Sequence, residues 1–108
     1  MALYSKNRAE WTESDLGAML TGITVVTLYD TLGKESMDYI LEQTSIKTIV
    51  CSSDKIKNVV DLKKEGKITR LTHVIYFDQA DASIIAAASE VGLTLISFAD
   101  VISEGKTL

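Results

Sequence analysis

The sequence predicts a doubly wound α/β fold, a mostly parallel sheet with helices on both faces. Short apolar runs of a length suited to buried strands recur along the chain, and stretches with helical spacing lie between them. Glycines fall just past two of those stretches, where a helix end favours a left-handed residue. Strand-helix-strand units in series close into a parallel sheet through right-handed crossovers.

Taken in order, the apolar runs place strands near Ala2–Ser5, Ile23–Leu28, Thr48–Cys51, Val74–Phe77 and Thr94–Ile96. Helices are expected near Ala9–Leu20, Lys34–Gln43, Asp54–Glu65 and Ala82–Val91. The second carries Met37, Ile40 and Leu41 on one stripe, the third Ile56, Val59 and Val60, and the fourth Ile84, Ile85 and Ala88. Asp54 is the expected N-cap of the third helix, and Gly66 and Gly92 the stops of the third and fourth. Before the second helix, Asp30 and Thr31 offer side-chain caps and Glu35 complements the helix dipole. With no linker, low-complexity segment or repeat, residues 1–108 read as one α/β unit or one piece of a larger domain.

Composition narrows the function. Hydrophobic residues make up 46% and charged residues 24% of the 108, the balance of a folded domain. A net charge of −4 offers no general attraction to nucleic acid or anionic lipid. Nothing reads as a signal peptide, and no run reaches the roughly 18 apolar residues of a membrane span. One cysteine, Cys51, excludes an internal disulfide and fits an intracellular setting.

The constellations that could carry chemistry are sparse. Gly17 and Gly22 have the spacing of a phosphate-binding glycine loop, but Ile23 stands where its lysine belongs, so the stretch reads as a helix end and strand start. Asp78 follows an apolar run at a strand's C-terminal end, where open α/β sheets place ligands, yet Ser5-Lys6-Asn7 supplies no acidic pair for a phosphoacceptor. His73 has no partner at metal-ligand spacing, and Cys51 lacks a basic neighbour and reads as a small core residue. Lys55, Lys57, Lys63, Lys64, Lys67 and Arg70 alternate with acids as on a solvated helix face, and no aromatics interleave to stack bases.

Two stretches carry a resemblance. "YSKNRAEW" followed by "VVTLYDTLGKESMDYIL" closely resembles the N-terminal domain of the long-chain acyl-CoA synthetases, AMP-forming members of the adenylate-forming ligases. There the first stretch usually reads Ser-x-Asn-Arg-Pro-Glu-Trp and the second Val-Pro-Leu-Tyr-Asp-Thr-Leu-Gly. Ser5, Asn7, Arg8, Glu10 and Trp11 match the first; Leu28, Tyr29, Asp30, Thr31, Leu32 and Gly33 match the second. Ala9 and Thr27 replace the two prolines, and a weaker likeness runs through "IVCSSDK", "LTHVIYFD" and "GLTLISFADV".

The resemblance implies a Rossmann-like piece of a larger adenylate-forming domain. It also implies a parent that joins a fatty acid to CoA through an acyl-adenylate, using ATP and Mg²⁺. The family's phosphate loop, ribose-binding aspartate and catalytic lysine fall beyond the point matching Leu108, so no catalytic, cofactor or metal residue is carried over. The motif residues, from Ser5 to Gly33, are expected to be structural, with Trp11 packed against the sheet. On this reading the chain is truncated at both ends and inactive alone. The parent would be cytoplasmic or peripheral to the endoplasmic reticulum, mitochondrial or peroxisomal membrane. The expected partner is the remainder of the parent enzyme, or a second copy meeting the "GITVVTLY" strand and the apolar side of the fourth helix. The alternative is a non-catalytic interaction module derived from such an enzyme.

Overall fold

The computed structural model describes residues 1–108 as alternating strands and helices. These are β1 (Ala2–Tyr4), α1 (Ala9–Leu20), β2 (Val26–Leu28), α2 (Lys34–Thr44), β3 (Thr48–Ser52), α3 (Ile56–Lys64), β4 (His73–Phe77), α4 (Ala82–Glu90), β5 (Thr94–Ser97) and α5 (Phe98–Gly105). The five strands form one sheet in the order β2-β1-β3-β4-β5, and every neighbouring pair is parallel. The first crossover steps one way along the sheet and the later ones step the other way. Right-handed connections therefore put α1 on one face and α2, α3 and α4 on the opposite face.

The alternation of side chains along each strand divides the core accordingly. Ala2 and Tyr4 of β1, Ile49 and Cys51 of β3 and Val74 of β4 meet Met37 and Leu41 of α2, Ile56, Val59 and Leu62 of α3, and Ala88 of α4. The other face buries Leu3, Val50 and Phe77 of the sheet and Ala18 of α1, with Trp11 of α1 and Phe98 of α5 packed beside the strands. The molecule thus has one thick apolar layer and one thin one. A fully buried aliphatic side chain contributes roughly 1.5–3 kcal/mol, so most of the hydrophobic stabilisation sits on the α2–α4 side.

Most expected boundaries hold to within a residue, and the exceptions have local causes. β2 begins at Val26, not Ile23, because α1 closes through Gly22 at φ +76° and the Ile23 N–H donates back to the Ala18 carbonyl at 2.8 Å. Ile23 therefore belongs to the helix stop. Asp54 does not cap α3: Ser53–Lys55 forms a 3-10 turn first, Lys55 is the N-cap, and no side chain caps it. Asp30 and Thr31 do not cap α2 either; Gly33 holds that position in extended backbone without a side-chain acceptor. Gly66 and Gly92 do adopt the left-handed backbone expected of helix stops, at φ +81° and +85°.

The helix α5 has no counterpart among the expected elements. Ser97 ends β5 and begins α5 at once, its hydroxyl accepting the Asp100 N–H at 3.1 Å. With no turn between strand and helix, none of the usual punctuation marks the change. The apolar spacing Phe98, Val101, Ile102 and the Ser97-to-Asp100 cap are the signals that identify it.

Candidate functional site at the carboxyl edge of the sheet

The loops after β1, β2, β3 and β4 open at the carboxyl ends of the strands, and the order reverses between β1 and β3. Open α/β sheets bind ligands at such an edge. Its centre is Arg8, the residue before α1. The guanidinium donates from both terminal nitrogens to the Asp78 carboxylate, at 2.7 and 2.8 Å, and from Nε to Glu10. It also lies 5.3 Å from the centre of the Phe77 ring.

The planar fork of arginine matches a carboxylate in two bonds at once, which a lysine could not do. Hydrogen bonding to Asp78, and then to Glu10, raises the Arg8 pKa above its already high ordinary value against an opposing effect of desolvation. Arg8 in turn holds the Asp78 carboxyl below the usual aspartate range. Asp78 occupies a left-handed backbone at φ +66°, a conformation aspartate tolerates better than most residues. The pair ties the loop after β1 to the loop after β4, with its acids and its base already matched.

A second tie lies on the other side of β1. Lys55 donates to the Asp30 carbonyl at 2.7 Å and sits 5.5 Å from the Tyr4 ring, its side chain only 16% exposed. Asn58 donates to the Tyr4 hydroxyl at 3.2 Å. Lys55 is therefore not on a solvated face, contrary to the charge pattern. Nor is Lys63, which donates to the carbonyls of Thr69 and Leu71 at 2.9 and 2.8 Å and fastens the loop before β4. Lys57 follows the expected pattern, sharing Asp61 with Lys34 at 3.0 Å and lowering that carboxyl's pKa.

The motif residues divide by side. Ser5 is buried and its hydroxyl donates to the Lys6 carbonyl at 2.9 Å, Trp11 is half-buried against the thin apolar layer, and Arg8 and Glu10 form the tie just described. Asn7 and Thr31 are exposed, and the Tyr29 ring is 81% exposed. Only the Tyr29 carbonyl works within the fold, accepting the Leu32 N–H at 3.0 Å. Between the two halves lies an open cleft of about 400 Å³ lined by Ser5, Lys6, Asn7, Trp11 and Asp30 among others.

The remaining candidates sit elsewhere. Gly17 lies inside α1 and Gly22 follows its end, so the glycine spacing belongs to a helix terminus at the opposite edge of the sheet. His73 is exposed and its Nδ1 shares a 2.8 Å hydrogen bond with the Thr72 hydroxyl. Cys51 is buried in the thick layer, and burial, with the charge of Asp54 adding, pushes its thiol pKa up to about 12. A thiol so placed is a packing group and not a nucleophile.

These residues do not fit ATP or Mg²⁺. Gly33 and Lys34 begin α2, but the loop before them holds no second glycine, Glu35 follows where a serine or threonine would be needed, and Lys34 is bonded to Asp61; the Glu10 and Asp78 carboxylates are taken by Arg8, and no three acidic, histidine or cysteine side chains converge on a metal position. No helix of the chain is long and apolar enough to cross a membrane.

Fold and site together define a parallel, doubly wound α/β unit whose charged groups at the carboxyl edge are tied to one another. The chain belongs to the AMP-binding enzyme family, whose model matches residues 1–97. It is 32% identical over 106 residues to fatty acyl-CoA synthetase B of Dictyostelium discoideum, covering 98% of this chain and 16% of that protein. It is 30% identical over 105 residues to long chain acyl-CoA synthetase 8 of Arabidopsis thaliana, covering 94% of this chain and 14% of that protein. The chain therefore spans about one-sixth of the length of these relatives. Among solved structures, the A domain of carboxylic acid reductase from Segniliparus rugosus, in complex with AMP and a co-purified carboxylic acid, superposes with a TM-score of 0.84 over 99% of this chain and 18% of that one, at 19% identity. That likeness bears on the fold, and it bears out the α/β architecture read from the sequence.

Proposed function

We propose that this chain is a segment of a long-chain fatty acid–CoA ligase, and that its part in that enzyme is structural. The parent activates a fatty acid with ATP to an acyl-adenylate and passes the acyl group to CoA. This segment supplies a preformed parallel sheet. The observation that carries the structural role is the Arg8 tie: the best-placed acids and base of the carboxyl edge bond one another in two-point geometry. The relatives' names and the match across nearly the whole chain support the choice of parent.

Two measurements test the reading. The purified 108-residue chain should give fatty-acid-dependent exchange of pyrophosphate into ATP no faster than a buffer blank; exchange above the blank would place chemistry on these residues after all. In the second, this segment replaces its counterpart in fatty acyl-CoA synthetase B of Dictyostelium. The chimaera should form acyl-CoA from a long-chain fatty acid, ATP and CoA. A soluble, cooperatively folding chimaera without that activity overturns the assignment to this ligase class.

A further inference from the structure

The net charge is −4, but the cations are not scattered evenly. From Lys63 to His73, the end of α3 and the loop before β4, stand Lys63, Lys64, Lys67 and Arg70 against one acid, Glu65. Lys63 is turned inward onto two carbonyls, and Lys67 sits 3.7 Å from Glu65. Lys64 and Arg70 are exposed and make no ion pair. The same is true of Lys47 in the loop before β3, whose carbonyl accepts the N–H groups of Thr72 and His73 at 2.9 and 3.0 Å. All of these lie at the amino ends of the strands, the edge opposite to the Arg8 tie. Of the acids at that edge, Glu42 is taken by the Thr69 N–H, and Glu90, the last residue of α4, borders the β5 side.

The loop that carries the cations is held in place. The Thr72 hydroxyl donates to the Lys47 carbonyl at 3.2 Å, and Ile68 is kept left-handed at φ +44°. A β-branched residue persists in that conformation only where its surroundings impose it. Arg70 and Lys67 are therefore displayed from fixed backbone.

An apolar tip stands beside them. The helix α1 ends at the same edge, with Met19 64% and Leu20 88% exposed, and Ile23 follows at 47%. Ile23 and Lys47 line one open hollow of about 460 Å³, together with Thr44, Ser45 and Ile75. Tip and cations thus form one continuous surface.

The mixture decides the partner. A small anion needs cations that converge on one position, and of these only Lys47 lines the hollow. A nucleic acid has no Phe, Tyr or Trp here on which to stack a base, and it offers nothing to a projecting leucine. A bilayer containing anionic lipid uses both parts, because aliphatic side chains enter the headgroup boundary while lysine and arginine stay level with the phosphates.

We infer that the amino edge of the sheet is a bilayer-facing surface, with Met19, Leu20 and Ile23 entering the lipid interface and Lys47, Lys64 and Arg70 meeting anionic headgroups. The carboxyl edge then faces away from the membrane. Nothing in this surface depends on the parent's reaction, so a failed membrane test leaves the ligase reading where it stands.

The test is co-sedimentation of the 108-residue chain with vesicles of phosphatidylcholine containing about 30% phosphatidylserine, or none. Binding should require the anionic lipid and fall by about ten-fold or more as salt rises from about 0.1 to 1 M. Lys64→Gln with Arg70→Gln should weaken it about twenty-fold, at about five-fold for each cation lost. Leu20→Ser should weaken it several-fold. All three positions are exposed, and urea unfolding checks that each variant folds. An environment-sensitive fluorophore on Leu20→Cys should shift to the blue on the vesicles, while one on Tyr29→Cys, at the opposite edge, should not; the native Cys51 is buried and stays unlabelled. Absence of binding overturns the inference, as does equal binding with and without anionic lipid, or folded variants that bind as the unsubstituted chain does. A shift at Tyr29→Cys, or at Val101→Cys on α5 with none at Leu20→Cys, puts another face against the lipid and overturns it too. Binding to soluble polyglutamate as strong as to the vesicles, with no shift at Leu20→Cys, would make the patch a surface for acidic proteins and defeat the bilayer.

Discussion

Ile68 offers the sharpest contest between two opposed effects. It lies in the loop between α3 and β4, its side chain buried at 1% exposure and its backbone left-handed at φ +44°. A β-branched residue in that region carries strain of about 1–2 kcal/mol. The surroundings impose it: the Ile68 N–H faces the Asp38 carboxylate at 3.4 Å, the Thr69 N–H donates to Glu42 at 2.6 Å, and Lys63 holds the carbonyls of Thr69 and Leu71. Truncation to alanine removes the buried side chain but retains most of the strain, so Ile68→Ala should cost about 2–4 kcal/mol. Glycine removes the same side chain and relieves the strain. Its greater freedom in the unfolded chain costs about 0.5–1 kcal/mol, which leaves a net gain over alanine of up to about 1 kcal/mol. The usual order is thus reversed, with Ile68→Gly at least as stable as Ile68→Ala. Urea unfolding of the three chains, with fluorescence and circular dichroism in agreement, measures this. A glycine variant less stable than the alanine variant by more than about 0.5 kcal/mol would mean that the backbone is not held left-handed.

The phase of α2 is tested by Met37→Ala, which should cost about 2–5 kcal/mol in urea unfolding, against Tyr39→Ala, which should stay within about 0.5 kcal/mol because that ring is 67% exposed. Trp11 is half-buried at the edge of the thin layer, so solvent can fill part of the space left by Trp11→Ala, and the loss should be about 1–3 kcal/mol. A loss of less than about 0.5 kcal/mol would free Trp11 from the sheet. For Cys51 the folded pKa is about 12 and the unfolded one about 8.5, so the native state keeps a proton that the unfolded chain gives up as pH rises. That contribution is complete below about pH 8.5 and is lost toward pH 12 at about 1.4 kcal/mol per unit. The slope of stability against pH in that range should be shallower by this amount in Cys51→Ala; identical slopes would show a thiol open to solvent.

What could be read from the sequence was whatever its periodicity repeats several times. The stripes of α2 and α3 recur across successive turns, and those helices fall where expected. The stripe of α4 holds for Ile84 and Ala88, which pack inward, while Ile85 faces out. Single-residue signals fared worse. Asp30, Thr31 and Asp54 are good caps by type, but capping needs the backbone to turn at that residue, and the turns fall at Gly33 and Lys55. The Arg8–Asp78 pair joins residues 70 apart, which no local pattern encodes; only the parallel register of β1, β3 and β4 brings the two loops together. Lys55 and Lys63 look like surface charges for the same reason. Their carbonyl partners come from loops whose paths are set by packing.

The two halves of the family motif differ in what they do within the fold, and Gly33 makes the difference measurable. Ser5, Arg8, Glu10 and Trp11 face inward or bond one another, whereas Tyr29, Thr31 and Gly33 are exposed, with only Leu32 packed against the thick layer and the Asp30 carbonyl accepting Lys55 between them. At Gly33 nothing internal calls for glycine: φ is −72°, and a Cβ built there meets no atom within 4 Å. Gly33 is the N-cap of α2 and provides no side-chain acceptor for the free N–H groups of the first turn. Serine would provide one. In the isolated chain Gly33→Ser should therefore be neutral or stabilising by up to about 1 kcal/mol in urea unfolding. If the glycine answers instead to a backbone approaching from outside these 108 residues, the same substitution in the Dictyostelium chimaera should lower acyl-CoA formation while the chimaera still unfolds cooperatively. A loss of more than about 0.5 kcal/mol in the isolated chain would put the reason for glycine inside this fold. Unchanged activity in the chimaera would leave the outward half of the motif as surface.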